Sequence, residues 1–450
     1  MNSIDILFVL VGERDAKYFS SIAQNLSEKK KIGFIIFNDS AIEIIKSVGN
    51  FPIFNMCEID AIDFNYADME KKFSFIFNDA IRHETNTFYR SDAEVKNKLA
   101  KYIIKAEDIF SKNSINFVIQ EIGGYCANLS IYFVAKYFST KHIFLEPSFF
   151  SGYVHVLLNS REPPLPKLST NRNQEVDLYL KNFLRNKTLS FSSKDSVHYN
   201  SAFKKFFIKK NWYALTNKLI NIFLKRRCVE HRYWFNHIYR YLMYFFNSLV
   251  LNFLGIYKNL ENIKNKNIVY FPLHVPDDLQ LTTRCPELYN QVEIIKFISS
   301  ILPHEAILVI KEHPAMQGSL KYKDISSLVK NQSIVILSPN IKNFDIFKES
   351  ELVVTINSKS GFEALFHNKK VICLSHSFYS NSKITINMNL KELREKISEV
   401  LLKQETEIED QAYSLANGIY EIALPMNLYD NSKKNIENSA NSIIKIVESF

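Results

Sequence analysis

Short apolar runs that break off into polar or glycine-containing loops recur along this chain, and most are followed by apolar positions spaced three or four apart. The first run, residues 4–11, stops at Gly12-Glu13-Arg14-Asp15. A helical pattern follows to about Leu26, and IGFIIF begins a second strand. A short helix fits 41–48 and a third strand fits 51–54. Residues 68–108 are charged and helical in period, with Arg82, His83 and Arg90 as their basic polar groups. The run 117–119 enters Gln120-Glu121-Ile122-Gly123-Gly124, a helix is expected at 127–137, and a strand at 142–145 ends in Glu146-Pro147. Strands alternating with helices predict an α/β unit with a parallel sheet covered on both faces.

The pattern lapses at 160–199 into REPPLPK and a polar stretch, which reads as a domain boundary. It resumes at Asn267 with IVYFPLHVPDD, a helix at 287–301, and a strand at 306–310 that ends in KEHP. A strand at 334–337 and a helix at 341–348 come next. The strand 352–356 then carries Asn357-Ser358-Lys359-Ser360-Gly361 into the helix FEALF, and VICL closes the unit. The expected plan is a Rossmann-like domain at 1–160, a helical basic linker at 161–265, and a second Rossmann-like domain at 266–450. The last helix, about 434–447, is expected to pack back on the first domain. Two such units imply a cleft between them.

The 450 residues are 46% hydrophobic, enough for two cores. Five cysteines stand far apart with no CxxC spacing, so neither a zinc ribbon nor a disulfide framework is implied. The opening MNSIDILFVLVGERD lacks a basic region before its apolar run, and a cytoplasmic protein is expected. The net charge of +9 is concentrated: residues 204–240 hold ten Lys or Arg against Glu230 alone, leaving the remainder near neutral. Phe206, Phe207, Trp212, Tyr213, Ile222 and Phe223 interleave with those cations, as in helices that lie on anionic membranes. A nucleic-acid partner is not expected, because no nucleic-acid motif accompanies the charge. The bland alternative is a solvated linker. Residues 241–257 carry no charge at all, yet Asn247, Ser248 and Asn252 gather on one helical side. That favours an amphipathic helix, peripheral at the inner face of the cell membrane, over a spanning one.

Open parallel sheets bind ligands at the carboxyl ends of their strands, so the loops after 306–310 and 352–356 are the strongest candidates. In the second, free N–H groups, two hydroxyls and a lysine converge, which outlines a phosphate site. The plainer readings are a loop-capping His313 and helix-capping serines at 358 and 360. His274 and the pair Asp277-Asp278 are expected to face the cleft. Glu13, Arg14, Glu146 and His155 sit near strand ends and could touch an acceptor. No Asp-x-Asp motif and no His/Cys/Asp cluster at ligand spacing is present, so no metal or other cofactor is implied.

At KEHP and NSKSGFEAL, in that order, the chain resembles the bacterial capsule polysaccharide biosynthesis proteins. These form a GT-B group that includes Kdo transferases and is more distantly similar to bacterial sialyl- and polysialyltransferases. The resemblance is strongest over 270–379 and absent over 160–260. It implies a glycosyltransferase that takes an acidic sugar, Kdo-like first and sialic-acid-like second, from a CMP-sugar to a glycan or lipid-linked glycan. It also implies that His313 contacts the donor phosphate, Pro314 shapes the turn beside the nucleotide, and Ser358, Ser360 and Gly361 form the phosphate loop. Glu363 would meet the ribose hydroxyls, and Lys311 and His274 would stand by the donor charge. The relatives' acid-acid-glycine motif, which supplies their general base, is matched only by Gln120-Glu121-Ile122-Gly123. Glu121 is therefore the expected base, although one carboxylate is missing and a residue intervenes before the glycine. Donors with CDP-glycerol or UDP, and a non-catalytic scaffold for polysaccharide assembly, remain as alternatives.

Overall fold

The computed structural model describes residues 2–57, 64–88, 90–186, 216, 234–264, 266–403 and 408–450. The basic segment 204–240 lies almost wholly outside them. Six strands build most of the first sheet: β1 (Asn2–Leu10), β2 (Ile32–Ile36), β3 (Ile53–Asn55), β4 (Asn113–Glu121), β5 (Lys141–Pro147) and β6 (Tyr153–Leu158). The second sheet holds β7 (Asn267–Pro272), β8 (Ala306–Lys311), β9 (Ile334–Leu337), β10 (Leu352–Thr355), β11 (Lys370–Cys373) and β12 (Ile386–Asn387). A late strand, β13 (Leu424–Pro425), returns to the first sheet, whose order is β13-β6-β5-β4-β1-β2-β3; the second runs β12-β11-β10-β7-β8-β9.

Both sheets are apolar on both faces, and side-chain alternation explains how each strand feeds two cores. In β1, Ile4, Leu7 and Val9 enter one core while Ile6, Phe8 and Leu10 enter the other. In β7, Ile268 and Tyr270 face away from Val269 and Phe271 in the same manner. The second sheet is parallel throughout its paired strands. The first is not: β6 runs antiparallel to β5, and β13 antiparallel to β6. The expectation of an all-parallel first sheet is corrected at that edge. No strand was expected at 153–158, which follows Ser148 to Gly152 with no helix between.

Described helices within the expected 161–265 linker pack on the second unit. The helix Gln174–Asn186 inserts Val176, Leu180 and Phe183 into the core of the second unit, beside Phe344 and Phe362. The helix Trp234–Phe253 lies against that unit too, since Asn247 donates to Gly318 O at 2.7 Å. No helix among the described residues is long and apolar enough to cross a membrane. The final helix, Lys433–Ser449, crosses back and buries Ile436, Ala440, Ile443 and Val447 on the first sheet beneath the helix Glu13–Leu26. Two Rossmann-like units thus face each other, the architecture called GT-B.

Candidate functional site

The cleft is closed by side chains that follow strand ends on both sides. Arg284, in the π-helical turn Gln280–Arg284 after β7, makes a two-point ion pair with Glu146 at the end of β5. Its Nε also donates to Arg161 O at 2.7 Å. His83, in the helix Phe77–Phe88 of the first unit, shares a 2.8 Å hydrogen bond with Thr282 of the same turn, and Arg82 donates to Pro286 O. Burial holds the His83 imidazole down to about 4, against the pull of Asp277, Asp278 and Glu84, so it is neutral at physiological pH. Carboxyl ends of the two sheets therefore look at each other.

On the second unit, β7 is flanked by β10 and β8. The loop after β10 carries Ser358 and Ser360, the loop after β7 carries His274 and Asp278, and the loop after β8 carries His313. With strands about 4.8 Å apart, the outer two strand ends are roughly 10 Å apart, within the span of a nucleotide. His274 is buried, with its Nδ1 3.6 Å from Asp278 Oδ2, and its Nε2 meets no partner among the described residues. Burial works to raise the Asp278 carboxyl. The His274 hydrogen bond and charge, with a contribution from His313, outweigh it and hold the group below its ordinary value. His313 itself is half-buried, ahead of the 3-10 turn Pro314–Met316.

What shapes the His313 loop is its neighbour. Glu312 is interior and collects Gly318 N at 3.0 Å, Leu320 N at 2.7 Å, Ser319 Oγ at 3.2 Å and the Tyr257 hydroxyl. Unmarked in the sequence, this carboxylate ties down the loop that presents His313. Gly318, at φ +85°, lies so close to the Trp234–Phe253 helix that a Cβ would overlap Tyr244 O.

Around Ser358 the chain folds tightly. Ser358 caps the seven-residue helix Lys359–Leu365 by accepting from Ser360 N at 3.2 Å, and its carbonyl receives the Tyr379 hydroxyl. Ser360 Oγ accepts from Asn343 Nδ2 at 2.9 Å, and Asn343 in turn accepts from Tyr270. Three of the expected donor-side residues lie within the packing here. Gly361 is a packing glycine, buried against Tyr379 and Thr355, where a Cβ would stand 2.9 Å from Thr355 Cγ2. Lys311 is buried, because the last β8 side chain points inward, and its ammonium donates to Ile341 O at 2.8 Å. Glu363 is interior as well, with Oε2 unpartnered among the described residues. Burial pushes Glu363 up to about 8 and Lys311 down to about 8, each opposed by the other's charge. Both groups are buried, and Asn343, which donates to Ser360, also hydrogen-bonds Glu363.

On the first unit Glu121 ends β4 as expected, and its Oε2 accepts the Tyr429 hydroxyl from the returning carboxyl-terminal segment. The Arg14 guanidinium sits 3.9 Å over the Tyr429 ring, so Glu121 and Arg14 meet through one tyrosine. Asp277 is occupied by Arg240 at 2.7 Å and Glu146 by Arg284, which gives both acids a structural partner. His155 is buried beside Glu146 and near Lys359, neither ring nitrogen meeting a partner among the described residues. Arg161 went unmarked in the sequence. It donates Nη2 to Gly123 O at 3.1 Å, while its buried Nε has no partner and no carboxylate pairs with it among the described residues. Its sequence signal was its place at the opening of REPPLPK, the expected domain boundary. No group of three His, Cys, Asp or Glu side chains poised for a metal occurs among the described residues.

The fold and site define a GT-B protein with a polar, histidine- and serine-bearing cleft. Residues 179–417 match the model of the family described as capsule polysaccharide biosynthesis protein, and the chain belongs to that family. It is 33% identical over 124 residues to Protein FixF of Sinorhizobium fredii, which is 27% of this chain and 29% of FixF. It is 25% identical over 183 residues to the capsule polysaccharide export protein KpsS of Escherichia coli, covering 39% of this chain and 44% of that one. The match thus spans less than half the length of these curated relatives. The solved structure of Thermosulfurimonas dismutans KpsC, beta Kdo 2,7 transferase, aligns over 76% of this chain and 89% of its own, with 16% identity and a TM-score of 0.35.

Proposed function

We propose that this chain is a glycosyltransferase of capsule or surface polysaccharide synthesis. It takes a Kdo-like or sialic-acid-like sugar from a CMP-sugar and passes it to a glycan or lipid-linked glycan. The observation that supports this reading is the adjacency of β10, β7 and β8, whose loops hold Ser358, Ser360, His274 and His313 along one edge facing the first unit. Hydroxyls and an imidazole at that edge suit a phosphoryl group whose negative charge grows as the glycosidic bond breaks. The acceptor oxygen bonds to the anomeric carbon, the bond from that carbon to the phosphate oxygen breaks, and CMP leaves. The acceptor proton goes to Glu121, which stands at a first-unit strand end with Tyr429 to orient it. Membership of the capsule polysaccharide biosynthesis family supports the polysaccharide part of this reading.

The test is a nucleotide panel followed by donors. CMP is expected to raise the melting temperature of the full chain, by about 2.7 kcal/mol of stabilisation at a hundredfold excess over Kd. UMP should do so far less, and His313→Ala should abolish the shift. CMP-Kdo or CMP-sialic acid should then support transfer. An equal response to UMP, or transfer from a UDP-sugar or CDP-glycerol alone, overturns the reading.

A further inference from the structure

The helix Trp234–Phe253 is packed with its more polar side inward. Arg240 is buried against Asp277, Asn247 donates to Gly318 O, and Tyr244 and Leu251 complete the inward stripe. The opposite stripe, Tyr239, Met243, Phe246, Val250 and Phe253, follows the same three- and four-residue spacing and is exposed. Phe246 is 59% and Phe253 91% accessible. Globular helices are built the other way round, with the apolar side facing the core. Exposed apolar residues scattered singly need no explanation, but five in register on one helix, followed by the exposed Leu254, make a continuous patch.

Charge says what covers it. The patch contains no acid, and no charged residue occurs in 241–257. Asn247 fixes the helix to the turn at Leu320, after which Lys321, Tyr322 and Lys323 are all exposed, and Lys258 is exposed just past the helix end. In sequence, residues 204–239 add nine Lys or Arg against one Glu ahead of the helix. An apolar stripe without acids, on a helix whose neighbouring segments are cationic, has the composition of a helix that lies in the plane of an anionic bilayer. A second copy of this chain would set these cations against one another, which disfavours a dimer interface. We infer that the outward face of the Trp234–Phe253 helix seats the protein on an anionic phospholipid surface, with Phe246 and Phe253 entering the acyl boundary. This stands apart from the transferase reading, because none of these side chains is assigned to the cleft.

Flotation of the full chain with vesicles tests it. The protein is expected to float with phosphatidylcholine vesicles containing phosphatidylglycerol, and much less with phosphatidylcholine alone. The doubly substituted Phe246→Asp/Phe253→Asp protein should lose roughly tenfold or more of its bound fraction. Both side chains are exposed, so an unchanged melting temperature separates loss of docking from loss of fold. Protein that stays unbound with both vesicle types overturns the inference. So does flotation indifferent to the two aspartates, or a lipid-free dimer that those aspartates dissolve.

Discussion

Arg284 and Glu146 come from different units and meet through two parallel hydrogen bonds, Nη1 to Oε1 at 2.9 Å and Nη2 to Oε2 at 2.8 Å. Both side chains are largely shielded from water, and Arg284 also donates to Arg161 O, so the cleft has a fixed width at this point. Arg284→Ala leaves a shielded carboxylate alone and is expected to cost about 3–5 kcal/mol in denaturant unfolding. Arg284→Lys recovers the charge but not the fork and should fall between the two. A loss below about 1 kcal/mol would mean that the pair does not hold the units together.

Arg161 is a shielded cation facing the same cleft with a spare donor. Burial, opposed by Tyr132 and reinforced by Arg284, lowers its pKa to about 10, so it remains charged at physiological pH. If the transferred or accepting sugar is acidic, its carboxylate has a partner here. Arg161→Gln is then expected to raise KM for the acidic substrate by roughly 10- to 100-fold, the worth of one charge-assisted hydrogen bond. A KM unchanged in steady-state assays assigns Arg161 to the fold alone.

Glu363 gives a pH signature. Its folded-state pKa is raised to about 8 from 4.5, so between those values the native state holds a proton that the unfolded chain has released. Stability from this group therefore falls as pH rises. Buried His83, His142 and His155 are held low and act with the opposite sign, but only below the unfolded histidine value of 6.5. Lys311, lowered to about 8 from 10.5, acts above 8. From pH 6.5 to 8 the Glu363 effect stands clear of both. Denaturant midpoints should decline across that window in the wild type and decline less, or rise, in Glu363→Gln, where Lys311 has lost the charge that held its pKa up; parallel slopes would refute the assignment.

Gly361→Ala pushes a methyl against Tyr379 and Thr355 without changing the backbone handedness. Overpacking of this kind costs about 1–3 kcal/mol. Because Tyr379 holds the Ser358 carbonyl, nucleotide affinity should drop together with the melting temperature. A variant with full stability would show that the ring moves aside freely.

The strands of the second unit could be read almost to the residue, since each is an uninterrupted apolar run that stops at a charged or polar loop. Asn267–Pro272, Ala306–Lys311 and Ile334–Leu337 are examples. The short edge partners β6 and β13 could not, because β13 pairs only two residues with a strand some 270 positions earlier, and no local pattern records that. The same limit explains the site. His313, Ser358 and Ser360 were visible as strand-end residues. The inward turn of Lys311 and Glu363, the loop-tying role of Glu312, and the pairing of Arg284 with Glu146 depend on which elements become neighbours. The Trp234–Phe253 helix was legible as amphipathic, but its orientation was not: periodicity separates two sides and is silent on which one the body of the protein takes.

The return of the last helix to the first sheet has a practical outcome. Tyr18 bonds Ser439 at 2.7 Å and Glu121 bonds Tyr429, so the amino-terminal half borrows interior surface from the final thirty or so residues. No single cut in the polypeptide yields two self-sufficient pieces. A fragment ending near residue 160 would expose the apolar floor that Ile436, Ile443 and Val447 cover, and would be rescued only by supplying the tail in trans.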